Sequence, residues 1–533
     1  MLFTKRSFSL PRAGCPENVG LDSQKIIDLI NELLAADYEL HSMMIIRNGL
    51  VAAECYRYPF NPHTTHCLYS VSKNVTATAL GFAISEGKVS LDTKVSDIFP
   101  DKYPNKKDDG FEELTLRHLV TMTSGKSPSP LLNKSKGDWY RHLSEAKRIA
   151  APGKRFQYVN ECTFVLSACL KRVLGKGIND YLEPRLWNPL GIDKPFWETD
   201  SNGIEAGGWG LQMHTEDIAK LALCYHNDGV FNGEQVIPQE WATQAKINQT
   251  TEVDYAETEP NRYGYSVWIE GDNCWRFDGM YGQTAQVFKK EDIIIVINGG
   301  DMNHNRAIPF YYRFVESAII EPDENATASK EFTEFMTSQA IDEFKASEIR
   351  SPIEQKLEGR IIKFRHHTML NTIGFSMGIL PPPAVYMSKN RAGDVGYAAF
   401  NFTDDGCYFT WNEGEEENTV FCAMNGGYAE SKITLGEIPF TAFSAARWID
   451  EKTLEIKIRP MQSIAIRVLT FTFDGNKVSV ESESSPGTAE IINSISGTVS
   501  TVVKNEKLQK TIKEKMYLLK KFMEPTTVGR FRK

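Results

Sequence analysis

Ser70 and Lys73 stand three residues apart in the run Ser70-Val71-Ser72-Lys73. Three residues are nearly one helical turn, so on a helix the two side chains share a face. A lysine held among Val75, Ala77 and Leu80 loses affinity for its proton, because burial disfavours the ammonium. As a neutral amine it can take the proton of a serine hydroxyl; as a cation it can hold another base in place. Ser70 also stands where that helix would begin, and free N–H groups there favour negative charge developing on a substrate oxygen. The same spacing recurs at Ser85/Lys88 and Ser144/Lys147, but only Ser70 opens a long apolar helix.

Two further elements could complete such a site. In Tyr158-Val159-Asn160, a tyrosine near a lysine ammonium can be held partly as phenolate and serve as base and then acid. The asparagine can bind a substrate amide and orient Lys73. Tyr158 lies between Pro152-Gly153 and a helical run, which suits a loop over a cleft, unlike Tyr103/Asn105 and Tyr225/Asn227. In Phe277-Asp278-Gly279-Met280, Gly279 would let a substrate approach a strand backbone closely. The N–H of Met280 could then join that of Ser70 as the second oxyanion donor. Taken singly, each element also fits a plain structural role: a capping serine, a turn asparagine, a strand-entry turn.

In this order the three elements resemble the serine β-lactamase and penicillin-binding-protein superfamily, in its class C β-lactamase, D-aminopeptidase and esterase branch. Supporting landmarks are Gly87-Lys88-Val89-Ser90-Leu91-Asp92, the stretch Leu114 to Gly125, Pro152-Gly153, Pro189-Leu190-Gly191 and Gly207-Gly208-Trp209-Gly210-Leu211. The resemblance spans residues 15 to 320. It implies a β-lactamase-like α/β fold, an antiparallel sheet flanked by helices plus a helical subdomain. It also implies a serine hydrolase working through an acyl-enzyme on Ser70, with Lys73 and Tyr158 moving protons, Asn160 positioning substrate, and no cofactor. The family usually carries Lys or His where Phe277 stands, and that cation binds a substrate carboxylate. Phe277 cannot do so, and Asp278 would repel an anion if it faces the cleft. Small esters or amides therefore fit better than carboxylated β-lactams. Glu161 does not correspond to the deacylation base of class A enzymes. The alternative is a catalytically weak or inactive binding or sensor protein on the same fold.

The elements that must hold these residues follow from periodicity. Leu21 to Ala36 reads as a helix capped by Asp22 or Ser23, and Asn48-Gly49 as a type I′ turn between strands. Ser70 to Glu86, Thr115 to Met122 and Glu161 to Val173 read as helices; Gln283 to Phe288 and Ile293 to Asn298 read as paired strands. From Leu357 to Val503 short alternating stretches argue a separate all-β sandwich or barrel. The expected division is a hydrolase domain at 1–325, a helical connector at 326–356, the all-β domain at 357–503, and a basic helix and tail at 504–533.

Among other candidates, His63 and His66 lack a matched second pair for a metal, and His366-His367 and Cys67 read as structural. Trp411, Tyr408 and Phe409 read as core rather than a ligand platform. With 533 residues, more than one domain is expected. The net charge of −9 argues against nucleic acid as a partner, and no apolar run reaches membrane-span length. Nine scattered cysteines without a C-x-x-C pair, and no run of signal-peptide length at the start, point to a reducing, cytoplasmic setting.

Overall fold

The computed structural model describes residues 9–101, 111–127, 143–250, 254–255, 262–341, 343–364, 395–485, 487 and 526–532. The chain forms two units, one of residues 1–56, 65–299 and 304–339, the other of 57–64, 300–303 and 340–533.

In the first unit, helix α1 (Ser23–Ala35) starts where the Asp22 carboxylate accepts from the Gln24 N–H at 2.8 Å. Strands β1 (Leu40–Arg47) and β2 (Leu50–Tyr56) join through Asn48 and Gly49, whose φ values of 52° and 74° are those of a type I′ turn. The short β3 (Thr65–Cys67) follows, then the 3-10 turn Tyr69–Val71 and helix α2 (Ser72–Ser85). Helix α3 (Asn160–Leu174), β4 (Gln212–His214), which pairs with β3, and α4 (Thr215–His226) follow. The chain ends this unit with β5 (Arg262–Tyr263), β6 (Trp268–Glu270), β7 (Cys274–Gly279), β8 (Gln283–Phe288), β9 (Ile293–Gly299), α5 (Ile308–Ala318) and α6 (Lys330–Thr337).

Seven strands make an antiparallel sheet in the order β2-β1-β9-β8-β7-β6-β5, so the first hairpin docks on the last strand. Both faces are covered, which is why Ile293 to Ile297 is apolar without interruption. Met44, Ile46, Ile294 and Val296 pack with Val75 and Leu80 of α2 and Ile218 and Leu221 of α4. Met43, Ile45, Ile293, Ile295 and Ile297 pack with Ile26 and Leu33 of α1 and Tyr311 and Phe314 of α5. This is the β-lactamase-like sheet with its flanking helices.

The second unit is a β-barrel. Its strands are β10 (Ile361–Phe364), β11 (Val395–Phe402), β12 (Gly406–Glu413), β13 (Glu416–Ala423), β14 (Ala429–Leu435), β15 (Ile438–Asp450), β16 (Thr453–Pro460), β17 (Ile466–Asp474), β18 (Lys477–Ser485) and β19 (Thr526–Arg532). They pair in the order β13-β12-β11-β10-β19-β18-β17-β16-β15-β14. A parallel bridge between Ala423 and Ala445 joins β13 to β15 and closes nine strands into a ring. The tenth, β14, flanks the seam, where the Asn418 Nδ2 donates to the Thr434 carbonyl at 2.9 Å. Phe409 and Trp411 point into the core, and Tyr408 just before them is exposed.

Two expectations change. Thr526–Arg532 is not a tail: it is the barrel strand between β10 and β18. Its alternating Thr527, Gly529 and Phe531 carry the period of a strand, but they directly follow the stretch read as a basic helix. That stretch, 504–525, and His366-His367 lie outside the described residues. Nor is 326–356 a continuous helical connector. Helix α6 stops at Thr337, the units divide between Gln339 and Ala340, and among the described residues of this stretch only Glu354–Leu357 is helical again.

The barrel interior buries one ion pair completely. Arg467 donates from Nη1 to Glu413 Oε2 at 2.8 Å and from Nη2 to Oε1 at 3.0 Å, and Trp411 Nε1 donates to Glu413 Oε2 at 2.9 Å. Removing one partner strands the other charge in an apolar core, at a cost of about 3–5 kcal/mol. Glu413→Gln should lower the urea midpoint of barrel unfolding accordingly. Glu413→Gln combined with Arg467→Met should recover much of the loss. Unfolding of Glu413→Gln indistinguishable from the wild type would contradict this.

Candidate active site

Helix α2 is buried from Ser72 to Ala83, so it is anchored on all sides and its first turn is fixed. Ser70 sits in the 3-10 turn just ahead of it, not within the helix, and is half-buried. Lys73 is one turn on and 1% exposed. The amine Nζ lies 2.9 Å from Ser70 Oγ, 2.8 Å from Asn160 Oδ1 and 2.9 Å from the Gly208 carbonyl oxygen. Burial lowers the lysine to about 7, against the opposing charge of Glu161.

The three partners of Lys73 are not equivalent. Asn160 Oδ1 and the Gly208 carbonyl can only accept. A charged Lys73 donates to all three. A neutral Lys73 keeps its two protons for the two acceptors and has its lone pair left for Ser70, the one partner with a proton to give. Deprotonation of Lys73 thus turns the 2.9 Å contact into a hydrogen bond donated by the serine hydroxyl.

Each acceptor is placed by its own element. Asn160 opens α3. Gly208 belongs to the loop 207–210, which α2 grips directly: Thr76 Oγ1 donates to the Gly207 carbonyl at 2.8 Å, and the Leu211 N–H donates to Ser72 Oγ at 3.3 Å. Gly207 has φ 68°, and a side chain there would run into the Thr163 carbonyl. Asn74 Nδ2 donates to the Ser266 carbonyl, which ties the same helix to the turn before β6.

Tyr158 lies in the extended segment before α3, with its hydroxyl within hydrogen-bonding reach of Ser70. Lys73 Nζ stands over its ring, 4.9 Å from the centroid, rather than at its oxygen. Burial raises the tyrosine well above its ordinary value. The expected phenolate is therefore not what this geometry favours. The hydroxyl stays protonated and can give or relay a proton.

The third wall is the end of β7. Gly279 passes so close to the Ser70 turn that a methyl group on it would collide with the Leu68 carbonyl oxygen. Met280 follows with an exposed side chain. The residues flanking this approach are held in left-handed backbone, Tyr69 at φ 45° and Tyr281 at φ 66°, and their rings meet edge to face at 5.0 Å. Such conformations cost about 1–3 kcal/mol each and persist where surrounding packing enforces them.

Phe277 differs from its expected role. It is fully buried, edge-on to Tyr225 at 5.5 Å and 5.2 Å from Trp275, so it does not line the cleft. Alternation along β7 puts Asp278 on the other face, where its charge reaches Tyr158 and Tyr263. Residue type alone revealed neither the parity of the strand nor the participation of Gly208, Trp268 and Tyr263. Trp268 stacks on Tyr158 at 5.7 Å, and Tyr263 stands edge-on to both. Of the other candidates, His66 is buried and stacked on His41, and burial raises the Cys67 thiol to about 12. Among the described residues no group of three or more His, Cys, Asp and Glu could hold a metal ion.

The chain is 24% identical over 279 residues to the 6-aminohexanoate-dimer hydrolase of Paenarthrobacter ureafaciens, covering 48% of this chain and 71% of that one. It is 26% identical over 186 residues to a beta-lactamase of Pseudomonas fluorescens, covering 33% of this chain and about half (51%) of that protein. Among solved structures, the octameric penicillin-binding protein homologue of Pyrococcus abyssi aligns over 86% of this chain and 97% of its own, at 16% identity and a TM-score of 0.44. The Beta-lactamase family model matches residues 31–314, more than half of the sequence, and the chain belongs to that family.

Proposed function

We propose that the protein is a serine hydrolase that cleaves ester or amide bonds of small substrates through an acyl-enzyme on Ser70. The observation that carries this reading is the placement of Lys73 between two obligate acceptors and the Ser70 hydroxyl. Neutral Lys73 takes the Ser70 proton as Oγ bonds to the substrate carbonyl carbon. The N–H groups of Ser70 and Met280 hold the oxygen that becomes negative. Tyr158 gives its proton to the leaving atom and regains one from Lys73. Water then adds to the acyl carbon, its proton leaving by the same pair, and Ser70 is restored. Asn160 holds Lys73 and offers its amide to the substrate. No cofactor is needed for these steps.

Asp278 faces the Tyr158 side and Phe277 supplies no cation. Substrates other than carboxylated β-lactams therefore fit this site. The relative named 6-aminohexanoate-dimer hydrolase supports a hydrolase reading outside β-lactams. Nine free, buried cysteines suit a reducing compartment, and we read the protein as cytoplasmic. Among the described residues no helix is long and apolar enough to cross a membrane.

A fluorophosphonate probe tests the nucleophile directly. The wild type and Ser85→Ala should label, since the Ser85 hydroxyl merely donates to the Phe82 carbonyl at 2.9 Å. Ser70→Ala should not. Labelling retained in Ser70→Ala would overturn the assignment of the nucleophile, and no labelling of the wild type would favour a binding protein on the same fold.

Acylation should depend on pH through Lys73. Below about 7 the lysine is protonated and cannot accept, so kcat/KM should fall about tenfold per unit as pH decreases. Above that value it should level. The measurement is ester hydrolysis from pH 5.5 to 8.5, and a flat profile would remove Lys73 as the base.

Lys73 and Tyr158 share one proton path, so their losses should not add. Lys73→Ala and Tyr158→Phe should each slow single-turnover acylation by about 10²–10⁴. The double variant should be scarcely slower than the worse single. Fully additive losses would show that the two residues act independently.

A further inference from the structure

Three paired strands fix which side chains share the space beside Tyr158. In β6 and β7 Trp268 lies directly opposite Arg276, and in β5 and β6 Tyr263 lies directly opposite Trp268. Residues directly opposite in an antiparallel pair point to the same face, and so does the residue two further along a strand. Tyr263, Trp268, Arg276 and Asp278 therefore share a face, and Phe277 does not. Trp268 is stacked on Tyr158 with 21° between the rings, and Tyr263 stands at 4.9 Å from Trp268.

Arg276 is paired with Glu270 and lies 3.7 Å from Asp278, so one buried cation stands between two carboxylates. Asp278, Trp268 and Glu270 reach solvent partly, and Asp278 immediately precedes the Gly279-Met280 backbone. A carboxylate beside a partly exposed indole attracts a cation by its charge, and the ring quadrupole adds to this wherever the cation meets the ring; an anion is disfavoured on both counts.

Direction follows from proton transfer. The leaving atom takes its proton from Tyr158, so the group attached to that atom lies on the side of Tyr158, where Trp268 and Asp278 stand. We infer that Asp278 and Trp268 form a cation-selective subsite for the leaving group, and that the substrates are esters, thioesters or amides whose leaving group carries a cationic amine. The inference rests on the serine-hydrolase reading and names the substrate class of that site. No bond to the amine is made or broken. The cation is held only by charge and ring face while the acyl group passes to Ser70 and the leaving group departs protonated.

The test uses three thioacetates that release a thiol for colorimetric detection: acetylthiocholine, its uncharged isostere S-(3,3-dimethylbutyl) thioacetate, and an anionic S-(3-carboxypropyl) thioacetate. The wild type should show kcat/KM for the cation about tenfold above the isostere, the scale of a partly desolvated cation–π and charge contact, and the anion below both. Asp278→Asn and Trp268→Leu should each shrink the cation-to-isostere ratio several-fold, and Trp268→Phe should keep part of it. Ratios within one variant cancel differences in the amount of folded protein. A wild-type ratio of one or less overturns the subsite while leaving the hydrolase intact. A ratio unchanged in both Asp278→Asn and Trp268→Leu does the same. Failure to turn over any of the three, with no fluorophosphonate labelling, overturns the hydrolase reading and the subsite together.

Discussion

The site depends on one constraint: Lys73 Nζ is surrounded by three oxygens, two of which can never donate. Burial strips the amine of water and brings it to about 7, and the Asn160 and Gly208 oxygens then dictate where its lone pair goes. Much of the first unit can be understood as what this arrangement requires. Helix α2 is apolar almost all round because its first turn must be dry and immobile. Among its polar residues, Ser72 and Thr76 fasten the loop that carries Gly208, and Asn74 fastens the turn before β6. Polar groups buried at such a point are costly unless every one is paired, and here the pairing is also the geometry of the chemistry.

A second constraint acts on the backbone. The Ser70 turn and the end of β7 approach each other at Leu68 and Gly279, with Tyr69 and Tyr281 held in left-handed conformations on either side. The edge-to-face contact of these two rings links the two strained positions to each other. Strain of this kind is tolerated where it fixes donors in advance, so that no reorganisation is needed when charge develops. The sheet supplies the rigidity, since both its faces are packed and β7 lies inside it rather than at an edge.

These constraints also explain what was legible in the sequence. The motif residues Ser70, Lys73, Tyr158 and Asn160 could be read because each has a chemical type that matters, and the structure gathers them around one amine. The hairpin at Asn48-Gly49 and the barrel strands could be read because turn chemistry and period-two alternation are local signals. Gly208 enters through its carbonyl, which every residue possesses, so nothing in its identity announced it. Trp268 and Tyr263 look like ordinary core aromatics until pairing brings them beside Tyr158. Thr526–Arg532 was hidden for a similar reason, since its partners β10 and β18 are contributed by distant sequence.

The correction at Phe277 carries the most functional weight, and it turns on parity. A strand side chain faces one way or the other with period two, so the position that offers charge to the Tyr158 side of β7 is Asp278 and not its neighbour. Phe277 fills the space between Tyr225 and Trp275, where a cation would have to be buried without a partner. An apolar residue at 277 is therefore what the core on that side demands. The charge facing the site is decided one residue later and has the opposite sign. The charge beside the site then follows from a packing requirement on one face of a strand and an aspartate on the other, with Arg276 between Glu270 and Asp278.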